Sequence, residues 1–262
     1  MSVELTIALI SAVVALLSIL LSARAARSGA VLQARLNDEV EQRREKASSQ
    51  SRLAEVVSRY RDPLLGAAFD LQSRIYNLVL GDIVDLLRTG DQEVQRYAVN
   101  STLFVIGQYL GWVEALRRGV QYLDLGDADN SRELVRYLEE IRHSFSTRHV
   151  IEESPFHIYR NEQRAIGELM LKGRLDEHSG HMLWHCRGYA SFSARLDRDQ
   201  IFASWFTRLG DDVRALATSP EPAEARLVAV QHALIDLINF LDKPPLRVPS
   251  NSRSKIEAGQ RP

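Results

Sequence analysis

One cysteine, Cys186, stands in 262 residues, so the chain cannot form a disulfide with itself and is no disulfide-stapled secreted scaffold. Glycine (14) and proline (8) are too sparse for a collagen-like or low-complexity chain, and 45% hydrophobic residues is too many for wholesale disorder. The formal net charge is −1, which lacks the concentrated basic surface that counterion release on nucleic acid requires, so nucleic acid is not an expected partner. Catalytic signatures are missing as well. There is no G-x-x-x-x-G-K-[ST] phosphate loop, no G-x-S-x-G nucleophile elbow and no H-E-x-x-H zinc helix. The acids Asp124, Asp127, Asp129 and Glu133 invite a calcium reading. A loop starting at Asp127 would put Arg132 where Gly is needed and Leu138 where Glu is needed, so that reading fails twice.

What is present begins with Leu5–Ala23, nineteen residues without a charge. That length suffices for one helical crossing of a bilayer core, and inside lipid the backbone must bond to itself, which selects a helix. The start carries Glu4 and no Lys or Arg, unlike a cleaved signal peptide. Arg24, Arg27, Arg35, Arg43 and Arg44 follow the run, so the positive-inside rule puts the amino terminus outside and the remainder in the cytoplasm. Ala8, Ser11, Ala15, Ser18 and Ser22 recur at spacings of three and four, a stripe of small residues that lets two membrane helices approach closely. We therefore expect a single-pass cell-membrane protein that self-associates.

Charge divides the rest of the chain. Residues 24–61 carry a net +4, residues 62–242 a net −8 and the tail 243–262 a net +4. The middle of the first segment, NDEVEQRREKASSQSR (37–52), is polar all round, as in a helical spacer or weak coiled coil. At Asp62-Pro63 the pattern resets with an N-cap residue and a first-turn proline. The expected organisation is an anchor over 1–27 (span 5–23), a polar helical stalk over 28–61, a helical bundle over 62–242 and a disordered basic tail over 243–262.

Within the bundle the apolar period is helical. Leu64, Leu65, Ala68, Leu71, Ile75, Leu78 and Val79 trace one face before a stop at Thr89-Gly90, and Val99, Leu103, Ile106, Leu110, Val113 and Leu116 trace another. Asp129, Asn130 and Ser131 supply caps ahead of Leu134, Leu138, Ile141 and Phe145. Shorter helices are expected over Asn161–Lys172, Met182–Leu196 and Asp199–Ala217, and an extended stretch over His149–Tyr159. A last helix runs from Pro220 through Leu227, Val230, Leu234, Leu237 and Leu241 to Pro244-Pro245. No βαβ alternation appears, so the fold class is all-α. Trp112, Trp184 and Trp205 all fall in helical apolar patterns and are expected in the core.

Two places could carry chemistry or binding. In HSGHMLWHC, His178, His181 and His185 are spaced three and four apart, so on a helix their imidazoles share one face. That set could hold zinc with water in the fourth position, and a metal-dependent hydrolase or metal sensor is the alternative function it suggests. Otherwise no cofactor is expected. The second place is the helix start where Arg160, Asn161, Glu162, Gln163 and Arg164 crowd around backbone N–H groups that could receive an anion.

The segments YRDPLLGAAFDLQSRIYN (60–77), LFVIGQYLGWVEALRR (103–118), VQYLDLG (120–126), IYRNEQRAIGELM (158–170), CRGYASF (186–192) and VQHALIDLINFLD (230–242) resemble a group of bacterial membrane-anchored, mostly helical proteins without an assigned activity. The resemblance implies the same architecture and brings no catalytic residue with it. The function expected from these features is a membrane-tethered cytoplasmic interaction or signalling module, with an unidentified protein partner and no enzymatic activity of its own.

Overall fold

The computed structural model describes residues 33, 37, 39–48, 51, 55, 58–120, 129–147, 155–175, 177 and 182–257. The expected membrane span, its small-residue stripe, His178 and His181 lie outside these residues. Among the described residues no helix is long and apolar enough to cross a membrane. The chain divides into two units, Met1–Ser51 and Arg52–Pro262. In the first, residues 39–48 are helical and exposed throughout, with Glu39 and Arg43 4.0 Å apart one turn along. No apolar face exists there to bury, which is what its sequence dictates.

The second unit is mostly helical with one small sheet. Helix α1 (58–80) buries Leu64, Leu65, Ala68, Leu71, Ile75 and Leu78, the face its period marks out. It already runs at 58, so Asp62-Pro63 lies inside the helix and does not begin it. Helix α2 (Asp82–Thr89) follows a break at Gly81, whose φ of 124° is open to glycine and strained for other residues. Asp91 then accepts the N–H groups of Glu93 (3.0 Å) and Val94 (2.9 Å), capping the 29-residue α3 (Gln92–Val120). Helices α4 (Asp129–Ser146), α5 (Arg160–Met170), α6 (Tyr189–Arg198), α7 (Gln200–Ser204), α8 (Thr207–Ala215) and α9 (Glu221–Leu241) complete the body. The last is buried on nearly every side, from Ala223 to Leu241.

Two devices lock the helices. Helices α3 and α5 cross at glycines: a Cβ on Gly167 would stand 2.6 Å from the Leu110 carbonyl oxygen, and one on Gly111 3.0 Å from the Met170 Cβ. Arg226, fully buried on α9, closes the C-terminal end of α4. Its Nη1 donates to the carbonyls of Ser144 (3.0 Å) and Phe145 (3.1 Å), and its Nη2 to that of Thr147 (3.0 Å). A cation there also meets the negative end of the helix dipole. Beside it Phe156, at φ 60°, donates its N–H to Asp212 at 2.8 Å. Burial raises the Asp212 carboxyl above its ordinary range, and this hydrogen bond opposes it.

Four expectations are corrected. Met182–Leu196 is not one helix, because 182–186 is a strand and α6 begins at Tyr189. Asp199–Ala217 is broken at Trp205-Phe206 into α7 and α8. Trp205, at the break that ends α7, is 42% exposed and outside the core. The tail is not free over 243–257: Val248 and Ile256 are buried against the body, and a short 3₁₀ turn spans Ser250–Ser252. The cause is charge as well as apolar burial. Arg247 pairs with Asp62, Arg253 with the buried Asp242, and Lys255 with Asp236 (2.8 Å), so a basic strap docks on an acidic body.

Candidate functional site

The element that sets this bundle apart is its hairpin. Strand β1 (Leu171–Leu175) pairs antiparallel with β2 (Met182–Cys186) in the register Leu171 with Cys186, Gly173 with Trp184 and Leu175 with Met182. The Arg187 N–H donates to the Met170 carbonyl at 2.8 Å, one step before the Leu171–Cys186 pair. Bonded pairs alternate along an antiparallel ladder, so Lys172 with His185 and Arg174 with Leu183 are the bonded ones. The N–H and C=O groups of Gly173 and Leu175, and of Trp184 and Met182, therefore turn away from the ladder. On the β2 side this is seen directly, because the Trp184 N–H approaches the Tyr60 hydroxyl at 3.4 Å.

One face of the hairpin rests on α3. The Arg118 guanidinium stacks over the Trp184 ring at 4.6 Å, and Cys186 sits where a side chain on Gly111 would be. Beneath lies Glu114, 3% exposed, which accepts from Arg117 Nε and Nη2 (2.6 Å each) and from Arg118 Nε (2.7 Å). Burial pushes this carboxyl up, but the two guanidinium groups outweigh it and hold the carboxyl below its ordinary range. A buried carboxylate with two arginines is a fixed ion cluster, and it positions Trp184 through Arg118. Cys186 is held by burial at a thiol pKa pushed up to about 12, with its Sγ 3.9 Å from the Gln108 carbonyl. It stays a thiol at neutral pH and offers no nucleophile.

The other face carries Lys172, Arg174, Leu183 and His185. His185 is thus on a strand, and the helical geometry that would align three imidazoles does not exist at this residue. Its two sequence partners are outside the described residues. Among the described residues no three His, Cys, Asp or Glu side chains converge as metal ligands.

The α5 start is distributed among different tasks. Arg160 and Asn161 are exposed. Glu162 turns its carboxylate back onto the Tyr159 N–H (3.0 Å) and pairs with Arg208 at 2.5 Å, so a carboxylate already occupies the helix N-terminus. Gln163 is a core residue, donating to the carbonyls of Arg142 (3.0 Å) and Ile158 (2.9 Å). Arg164 pairs with Glu168 at 3.1 Å.

A polar cluster on α1 and α3 was not singled out from the sequence. Arg74 lies near the Tyr97, Asp70 and Tyr189 side chains and keeps one buried guanidinium nitrogen, Nη1, without an acceptor. Burial lowers its pKa and raises that of Asp70. The signal available was two ionisable residues of opposite charge one turn apart, Asp70 and Arg74, on a helix with a strong apolar face. The interior cleft beside Arg74, lined by residues including Leu71, Thr102, Phe145 and Leu227, is too narrow to admit a water molecule.

Compared with family models, with curated proteins and with solved structures, the chain matches none.

Proposed function

We propose that this chain is a membrane-tethered interaction module: a single amino-terminal crossing, a polar helical spacer and a cytoplasmic helical body that presents a binding surface near the inner leaflet. The observation that carries the reading is the uncharged run Leu5–Ala23 followed at once by arginines. The exposed polar helix at 39–48 suits a spacer. Tethering raises the effective concentration of the body toward other membrane-bound partners. Close approach along Ala8, Ser11, Ala15, Ser18 and Ser22 would pair two copies.

Alkaline carbonate extraction tests the tether. The full chain is expected in the membrane pellet, and a chain lacking Leu5–Ala23 in the supernatant. Release of the full chain by carbonate would refute the reading. For pairing, Ser11→Leu with Ala15→Leu is expected to reduce crosslinked dimer in membranes, and unchanged dimer would remove the stripe from the account.

A further inference from the structure

We propose that the outer edge of β1 is a docking site for an extended acidic peptide, which adds as a third strand and lays its carboxylates on Lys172 and Arg174. The inference names the partner chemistry of the module proposed above and rests on that reading.

Three observations meet here. First, the edge is open. β2 is backed by Tyr60, whereas no hydrogen bond reaches the outward N–H and C=O groups of Gly173 and Leu175 among the described residues, and β1 is exposed from Lys172 to Leu175. Such an edge offers alternating donors and acceptors at strand spacing. Second, its middle is bare. A Cβ on Gly173 would stand 2.9 Å from the Met182 sulfur and 3.0 Å from the Trp184 ring, so those side chains pack over one face of the strand there, while Gly173 puts no side chain of its own beside the edge and is exposed. Third, the flanking charges are unspent. Arg136, Arg142, Arg164, Arg195, Arg208 and Arg214 pair with carboxylates, while among the described residues no ion pair reaches Lys172 or Arg174, which like Arg96, Arg160 and Arg198 keep their charge for solvent or a partner but, unlike them, flank an open strand edge.

Charge selects the occupant. A second copy pairing antiparallel about Gly173 would set Lys172 against Arg174 twice, which like-charge cross-strand pairs disfavour. Lipid phosphates could accept from the N–H groups but supply no donors for the carbonyls, and Glu177 is exposed just beyond the strand. An acidic strand satisfies the backbone and both cations together.

The test uses the full chain in nonionic detergent and a labelled ten-residue peptide alternating Glu with Val and Thr. Its counterpart carries Lys for Glu. Binding is read by fluorescence anisotropy, and its location by amide hydrogen exchange. The acidic peptide is expected to bind and to slow exchange at Gly173 and Leu175, and the basic one not to bind. Lys172→Glu with Arg174→Glu is expected to weaken binding roughly tenfold or more, while Arg136→Glu with Arg214→Glu leaves it unchanged; circular dichroism confirms that both variants fold. Binding that is absent, survives the β1 reversal, or protects a different segment overturns the proposal. Equal protection of β1 by anionic vesicles without peptide also overturns it, in favour of a lipid surface. None of these results alters the carbonate extraction, so a failure here is distinguishable from a failure of the tether.

Discussion

Replacing Asp242 with asparagine should release the carboxyl-terminal strap while leaving the helical body folded. Asp242 is 4% exposed and accepts the N–H groups of Leu246 (3.3 Å), Arg247 (3.1 Å) and Val248 (3.0 Å), together with the Arg253 guanidinium. Asparagine keeps the shape but removes the charge and turns an NH₂ toward groups that are themselves donors. Hydrogen bonds to a charged acceptor contribute about 1.5–3 kcal/mol, so a loss of about 2 kcal/mol is a reasonable figure for the docked strap. That corresponds to roughly a thirtyfold rise in opening. Hydrogen exchange read by mass spectrometry over 244–257 measures it, with α9 as the internal reference. The pH dependence has a definite sign. Burial would raise the Asp242 carboxyl, but the strap N–H groups and Arg253 outweigh it and bring it from 3.8 to about 2. A carboxyl lowered by folding stabilises the docked state above its unfolded value and loses that contribution as pH falls through the folded value. The wild-type strap should therefore loosen between about pH 4 and pH 2, and the asparagine variant should show no such step. Unchanged exchange over 244–257 in the variant would refute this account of the strap.

Three further outcomes follow from the packing. Gly167→Ala should destabilise by about 1–3 kcal/mol, because its methyl meets the Leu110 backbone carbonyl, while Gly66→Ala in α1, with open space around it, should stabilise by about 0.5–1 kcal/mol; thermal melts giving both the same sign would contradict the crossing geometry. Arg226→Met should cost about 3 kcal/mol by taking the guanidinium donor from the carbonyls of Ser144 and Thr147, while that of Phe145 keeps the Ile158 N–H, and denaturant unfolding with an unshifted midpoint would show the first two to be satisfied otherwise. Cys186 should resist a thiol reagent at pH 8 in the native chain and react at once in denaturant; native labelling at the rate of a free thiol would contradict its burial.

The helical body was legible because burial there follows a local period. Leu64, Leu71, Ile75 and Leu78 on α1, and Leu227, Val230, Leu234 and Leu241 on α9, recur at intervals of three, four or seven residues and are buried in the structure. The hairpin was misread because the five apolar-leaning residues of Met182–Cys186 fit one turn of helix as well as a strand. The discriminating cue was the pair of short runs separated by Asp176, Ser179 and Gly180, a turn composition between two strands. The strap was misread for a different reason. Val248 and Ile256 are isolated in a polar stretch, and what orders them is pairing with Asp62, Asp236 and Asp242, all distant from the tail's own composition. Gln163 shows the same limit, since its partners Arg142 and Ile158 come together only when α4 and α5 pack. Of the candidate binding residues, the sequence marked the α5 start by its crowding of polar side chains, whereas the free edge of β1 depends on strand register, which no single-sequence pattern specified.

The central claim is a body held on the inner side of a membrane by one crossing, and single-cysteine labelling in intact cells tests it most directly. With Cys186 shielded, a membrane-impermeant maleimide should label a Ser2→Cys variant in intact cells and a Ser219→Cys variant only after lysis. Labelling of Ser219→Cys in intact cells, or failure to label Ser2→Cys until lysis, would contradict the claim.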